Sequence, residues 1–582
     1  MEKRAIYAIL LTFVIIVFWW ILQSKFFPQA PPSKPAPQEE KKEQASPEEK
    51  AVKKAVGTEE SKPLKVEKSV GKRRVFPKKE VSIETQNYWA VFTSDDARLK
   101  HFKLKRYENR VSQAALTIKL TQFVDEVLGK KVENPKEPKP LDLVNTSADK
   151  YLPLGLTFNG ANLPLDENWE VDKDQLRLLG SGEKGEIIFS KVMDDGLKVL
   201  KRFKFNSDQY TIHLEVEVQN ISSKEVTKQL GLEWIGEIEL VKLAKEENKD
   251  FGLKYSFLRN QKVEKKEFGG AGTSGCVPSC GSQKTTIEPF ETTEKGDIKW
   301  FSFGGEYFTA LLIPPPSKEI TLSVKGSEKE LLKADVMPPP ISIPPQEKVS
   351  IAYQVYLGPK DENLLKALGV GAEKLVDFGW FTIVAKPLLW FIRLTHVVTG
   401  NYGIDIILIS ILIKIIFIPL TQISMKSMKE MQKVQPEMNR LKEQYKNDKT
   451  KLQQEMMLLY KRRKINPMSG CLPMLIQIPV FIALYNALQY SIDMRHAPFF
   501  FWIKDLAAKD PIYITPLIMG ATMFIQQKMT PTAGDPAQAK MFLLMPVMFT
   551  FFFLNFPSGL VLYWLVNNVL SIAHQHYMNK KT

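Results

Sequence analysis

Residues 404–420 read IDIILISILIKIIFIPL. The run is apolar and long enough to cross a bilayer, yet Lys414 stands inside it. An ammonium deep in such a span costs at least ~2.5 kcal/mol on insertion scales. Two explanations are open. Lys414 precedes Ser424 by ten residues, roughly 15 Å at the α-helical rise, so its stem can snorkel to the inner interface. Otherwise it is a positive site in a wet cavity. Ser410 lies one turn earlier on the same face, and Pro419 frees a carbonyl one turn back.

Four further apolar segments, at 468–490, 512–527, 541–556 and 560–577, read as spans. They carry polar residues that would complete a cavity: Gln477 and Asn486, Thr522 and Gln526, then Asn567, Asn568 and Ser571. Each alone is ordinary glue between helices. Between the first span and these lies 424–464, with twelve lysines and arginines against five carboxylates. So dense a basic excess beside a span belongs to the cytoplasm. It reads as two helices around the polar turn Lys446-Asn447-Asp448-Lys449. Met425, Met428, Met431 and Met438 form an apolar stripe, continued on the return by Met456, Leu459 and Tyr460. That stripe either packs the hairpin on itself or offers adaptable methionines to apolar segments of other chains.

Upstream, Ala5 to Leu22 is apolar behind Lys3 and Arg4, and no small-residue cleavage site follows. Residues 1–27 are therefore expected to be an uncleaved anchor with a cytoplasmic N-terminus. Residues 28–79, rich in Pro, Lys, Glu, Ala and Ser, have too little apolar surface to fold and read as a tether. From 80 to 360 the period becomes two. Tyr210–Val218 alternates cleanly, with Ile212, Leu214, Val216 and Val218 on one face. Similar runs at 185–192, 197–205, 308–313, 320–324 and 349–357 predict a large antiparallel all-β sandwich outside the cytoplasm. Helices are expected over 362–378 and 380–399. If 380–399 also spanned, the basic stretch 424–464 would lie outside. Residues 380–399 are therefore predicted to lie in the outer interface, within a connecting segment 361–403. The chain is thus predicted to be a polytopic α-helical membrane protein. After the anchor come a core span at 404–423, a cytoplasmic hairpin at 424–467, four more core spans within 468–578 and a cytoplasmic tail at 579–582.

The 582 residues exceed one core, and the net charge of +15 concentrates in the tether and the hairpin. No aromatic RNA-binding signature or zinc-finger spacing accompanies it. Anionic lipids and cytosolic proteins are the expected partners, with no sequence-specific nucleic acid. Cys276 and Cys280 either close a small disulfide in an exported domain or are two plain loop cysteines. Cys471, at the cytoplasmic start of a span, is expected to stay reduced. There is no nucleophile elbow, HExxH or phosphate loop, and His101 and His213 are the only histidines in the β region. No enzyme activity, cofactor or metal is expected.

Pro419-Leu420-Thr421, Gln454-Glu455-Met456-Met457, Asn466-Pro467 with Gly470-Cys471-Leu472-Pro473, Gln477-Ile478-Pro479, Lys528-Met529-Thr530-Pro531 and Phe556-Pro557-Ser558-Gly559 resemble the YidC membrane-protein insertase family. The match is dense over about 376–578. The anchor, tether and β region resemble its Gram-negative branch in order and size. The resemblance implies five core helices around a hydrophilic groove open to the cytoplasm and to lipid. It implies a periplasmic β-supersandwich, and nascent membrane proteins, the ribosome and the Sec translocon as partners. The family places an arginine on its first core helix where this chain has Lys414. Lysine keeps the charge and loses the planar, bidentate fork. The resemblance further implies a client path lined by Ile478, Tyr563 and Trp564, with clients leaving along the first and third core spans. Two rival readings are a transporter with Lys414 as an anion site and a sugar-binding β domain. The first is disfavoured because the core spans show no inverted repeat.

Overall fold

The computed structural model describes residues 76–127, 137–146, 151–162, 168–237, 254–267, 289–327, 331–463, 472–530 and 536–580. The expected anchor at 1–27, nearly all of the tether at 28–79, Cys276, Cys280 and Cys471 lie outside these residues.

Period-two sequence becomes sheet. In the strand Thr211–Asn220, Ile212, Leu214, Val216 and Val218 are all buried, as alternation requires. The strand pairs antiparallel with Leu197–Asn206 and with Lys348–Pro359, setting Leu214 opposite Phe203 and Tyr353. These three strands run through the middle of a nine-stranded sheet. A six-stranded sheet contains Leu230–Glu237 and Leu331–Met337, and a five-stranded sheet contains Tyr88–Thr93 and Arg98–Glu108. All three sheets contribute to one continuous core, in which Trp169, Trp234 and Trp300 are almost wholly buried.

Two features depart from an all-antiparallel, all-β expectation. Glu80–Glu84 pairs parallel with Gln175–Arg177. Ala115–Val127 is a helix, α1. Its Leu116, Leu120, Phe123 and Val127 recur at helical spacing, a period that wins locally over the surrounding alternation.

The single helix expected over 362–378 is broken. Glu362–Ala367 (α2) starts on Asp361, whose carboxylate accepts from the Asn363 and Leu364 amides at 2.8 and 3.0 Å. Gly369 and Gly371 then sit at φ +71° and +74°. Only glycine adopts that region freely, so the chain turns there and resumes as a short 3₁₀ turn at Ala372–Leu375.

Thr382–Thr399 (α3) leads to Tyr402–Gln444 (α4). No helix break marks the expected passage from first span to hairpin at 423/424. α4 is one helix of 43 residues through Pro419 and Pro436, about 65 Å long. That is twice a ~30 Å hydrocarbon core, so a helix of this length must leave any bilayer it crosses. Lys449–Arg462 (α5) returns antiparallel after the expected polar turn. Leu472–Tyr490 (α6), Ile514–Met529 (α7), Pro536–Phe553 (α8) and Ser558–Lys580 (α9) follow. α9 packs against α7, α4 and α6, α3 against α4 and α6, and α8 against α7. The α7–α8 approach depends on Gly520, where a Cβ would stand 2.0 Å from Thr550 Oγ1. Ile415, Ile416, Leu517, Leu544 and Phe551 face outward, an apolar surface suited to lipid. Among the described residues, the stretches Gly379–Thr399 and Tyr402–Gln444 are long and apolar enough to cross a membrane.

The Asn401 side chain caps α4, accepting from the Gly403 and Ile404 amides at 2.9 and 3.2 Å. Asn401→Ala is expected to lower stability by about 1 kcal/mol, read as a lowered melting temperature of the detergent-solubilised protein. An unchanged melting temperature would mean that this cap contributes nothing. On the same side, the Arg495 guanidinium lies 5.0 Å from the Phe308 ring centre and donates to the Glu108 carbonyl at 2.7 Å, joining the helical region to the β region.

Candidate functional site

Lys414 extends from α4 to α9, where its ammonium donates to Ser571 Oγ at 2.6 Å. The Ser571 hydroxyl in turn donates to the Asn567 carbonyl at 2.7 Å. Among the described residues Lys414 has no ion-pair partner. The hydrogen bond therefore fixes the lysine without neutralising it.

Ser571 belongs to a strip. Tyr563, Asn567, Ser571 and Gln575 recur every four residues along α9, hence along one face. Gln477 of α6 donates to Tyr563 Oη at 3.3 Å. Asn567 donates to the Tyr563 carbonyl at 3.2 Å. Gln575 donates to the Met529 carbonyl of α7 at 2.5 Å. Asn568, one position round the helix, donates to the Met519 carbonyl and Thr522 Oγ1 of α7, both at 3.4 Å. Lys414, Gln477, Asn567, Asn568 and Ser571 thus converge on α9 and its contacts with α4, α6 and α7.

Ser410, Asn486, Trp564 and Ile478 sit elsewhere. Ser410 is fully buried, with its hydroxyl spent on the Ile406 carbonyl of its own helix at 2.6 Å. Asn486 donates to the Phe378 carbonyl at 2.8 Å, fastening α6 to the segment before α3. Tyr563 is fully buried. Trp564 turns into an aromatic cluster with Phe481, Phe549 and Phe553, ring centres 5.1–6.2 Å away. Ile478 remains half-buried on α6.

In the hairpin, Val434 and Met438 are buried against Met431, Met456, Leu459 and Tyr460, and Tyr460 Oη lies 3.5 Å from the Met438 sulfur. Met431 and Tyr460 therefore hold the hairpin to itself. Met425 and Met428 lie outside that seam and are half-buried.

The sequence reading missed Gln575 and His574. His574 is one turn from Ser571, and its Nε2 is buried without a hydrogen-bond partner. The four-residue spacing along α9 was the available signal for Gln575. Nothing in the local sequence marks His574.

The model of the 60Kd inner membrane protein family matches residues 394–582, and that of the YidC periplasmic domain matches residues 130–391. The membrane protein insertase YidC of Syntrophus aciditrophicus is 41% identical over 86% of this chain and 85% of its own length. The chain belongs to the YidC membrane protein insertase family. The YidC insertase of Geobacter sp. strain M21 is 40% identical, covering 86% of each chain. A solved active YidC insertase covers 86% of this chain and 93% of its own, at 19% identity and a TM-score of 0.37. As a YidC family member the chain is an inner membrane protein, with a β-rich periplasmic domain and a helical membrane region.

Proposed function

We propose that this chain inserts other membrane proteins and that Lys414 attracts the acidic groups of their short polar tails. One observation carries the reading: a half-buried ammonium in an apolar helix, held by a neutral hydroxyl and by no carboxylate among the described residues. Such a charge is expensive in a membrane unless a partner arrives. At 4 Å and an effective dielectric near 20, a client carboxylate would gain ~4 kcal/mol.

In this reading α4 and α6–α9 are the five core spans, and α3 lies in the outer interface. Both chain termini are cytoplasmic. The outer end is closed by the ordered loop before α7, where the Ser558 and Gly559 amides donate to the Ala508 and Leu506 carbonyls at 2.7 and 2.9 Å. The basic hairpin meets the ribosome, the Sec translocon, anionic lipids and the nascent client, with Met425 and Met428 as soft contacts. The client tail enters beside Lys414 and its apolar segment slides past Ile478 into lipid. Hydrophobic transfer supplies the drive, at ~25 cal/mol per Å² of apolar surface.

Photocrosslinkers at Met425 and Ile478 are expected to capture a stalled client, and one at the exposed Trp89 of the β region is not. Capture at Trp89 alone would overturn the path.

A further inference from the structure

Beyond insertion, the structure assigns a second site. We propose that a cavity between α2, α3 and the end of α6 binds the phosphate of an anionic phospholipid of the outer leaflet. The cavity measures about 220 Å³. Its wall carries three cations, Lys360, Lys386 and Arg393, against one carboxylate, Glu362. Leu389 and Trp390 supply apolar wall. Lys386, Leu389, Trp390 and Arg393 follow at helical spacing, so one face of α3 delivers cations and apolar surface together.

The charges are arranged for exchange. Lys386 is held by Glu362 at 2.7 Å in a pair that is partly exposed on both sides. Arg393 presents Nε to Asp493 at 2.8 Å. Asp361 is occupied at the start of α2, and neither it nor Asp493 lines the cavity. Lys360 donates to the Gly305 carbonyl at 2.6 Å. A phosphate entering the cavity would compete with a single carboxylate, Glu362, for Lys386.

The surroundings favour lipid as the source of the phosphate. Trp380, Ile383, Val397 and Val398 of this segment are each more than 80% exposed. An apolar face that open, with Lys386 three residues from Ile383 and Arg393 four from Val397 along its edge, suits a helix lying at headgroup depth. A lipid held here would keep its acyl chains on that face while its headgroup occupied the cavity. The proposal rests on α3 lying in the outer interface and not on insertion activity.

The test is retention of phosphatidylglycerol over phosphatidylcholine by the purified full-length protein, measured by native mass spectrometry after mixed-lipid loading. Wild type is expected to retain phosphatidylglycerol preferentially. Lys386→Gln should lose about fivefold of that preference, and Glu362→Gln, which removes the competing carboxylate, should gain by a similar factor. The opposite signs separate a binding effect from misfolding. Equal retention of the two lipids by wild type would overturn the proposal, as would no response to either substitution. A parallel arm adds inorganic phosphate and glycerol phosphate. Displacement of the lipid only at molar concentrations supports the lipid site, whereas displacement at micromolar concentrations would make it a soluble-anion site and overturn it.

Discussion

Lys414→Glu is expected to abolish insertion of a client with an acidic tail into liposomes carrying this protein. Lys414→Ala should reduce it tenfold or more, since ~1.4 kcal/mol already makes a factor of ten and the client contact is worth more. Lys414→Arg should insert within about twofold of wild type, because the site asks for a positive charge and the neutral Ser571 hydroxyl imposes no geometry that arginine cannot meet. The control is the same client with its tail acids replaced by amides. For that client all four proteins should perform alike, since the attraction is between charges. If the four also insert the acidic client equally, Lys414 is a snorkelling residue and the electrostatic reading falls. Salt distinguishes further: a charge pair shielded by helices is screened less than one at the surface, so wild-type insertion should persist at ionic strengths that strip ligands from the exposed basic hairpin.

Local periodicity made much of the fold legible. The alternation at 210–218 placed four buried residues correctly, and the apolar runs at 512–527, 541–556 and 560–577 became helices whose ends lie within five residues of those expected. What failed was where a local signal met a longer-range cause. Gly369 and Gly371 are plain in the sequence, but a glycine pair in a helix-like pattern announces neither its φ nor the break. α4 runs straight through Pro419 and Pro436, since a missing amide costs less when the helix is braced by neighbours. At the site, Lys414 was legible because a charge inside an apolar run stands out from the sequence, although snorkelling and a wet cavity both account for it locally. Its partner Ser571 was one polar residue among several, 157 positions away, and only packing selects it. Ser410 shares Lys414's face by spacing yet spends its hydroxyl on its own helix, because facing a groove and facing a neighbouring helix have the same periodicity.

Long-range pairing also decides the largest stability effect in the β region. Arg98 is 2% exposed and Glu233 fully buried, and they pair at 2.6 Å across 135 residues of sequence. The same guanidinium binds Asp96 at 2.8 Å and the Leu152 carbonyl at 2.6 Å. Lys201, from the nine-stranded sheet, donates to the Ala97 and Leu154 carbonyls at 2.6 and 2.7 Å. Burial pulls this lysine down to about 7, with Asp96 opposing. One buried network therefore ties together strands of all three large sheets. Gly155 makes room for it, since a Cβ there would stand 2.3 Å from the guanidinium carbon.

Removing Arg98 leaves Asp96 without its ion-pair partner and Glu233 with Lys333 alone, at 2.5 Å, in a medium that cannot solvate them. Arg98→Ala is expected to destabilise the β region by about 3–5 kcal/mol, a fall in melting temperature on the order of 10 °C for a region of this size. Replacing both members, as in Arg98→Met with Glu233→Leu, should recover part of that loss, because the penalty comes from the orphaned charge more than from the missing attraction. Additive losses in the double variant would contradict that account. A loss below about 1 kcal/mol in Arg98→Ala would mean that Lys333 alone sustains Glu233 and that water reaches Asp96, the network being less enclosed than its burial implies.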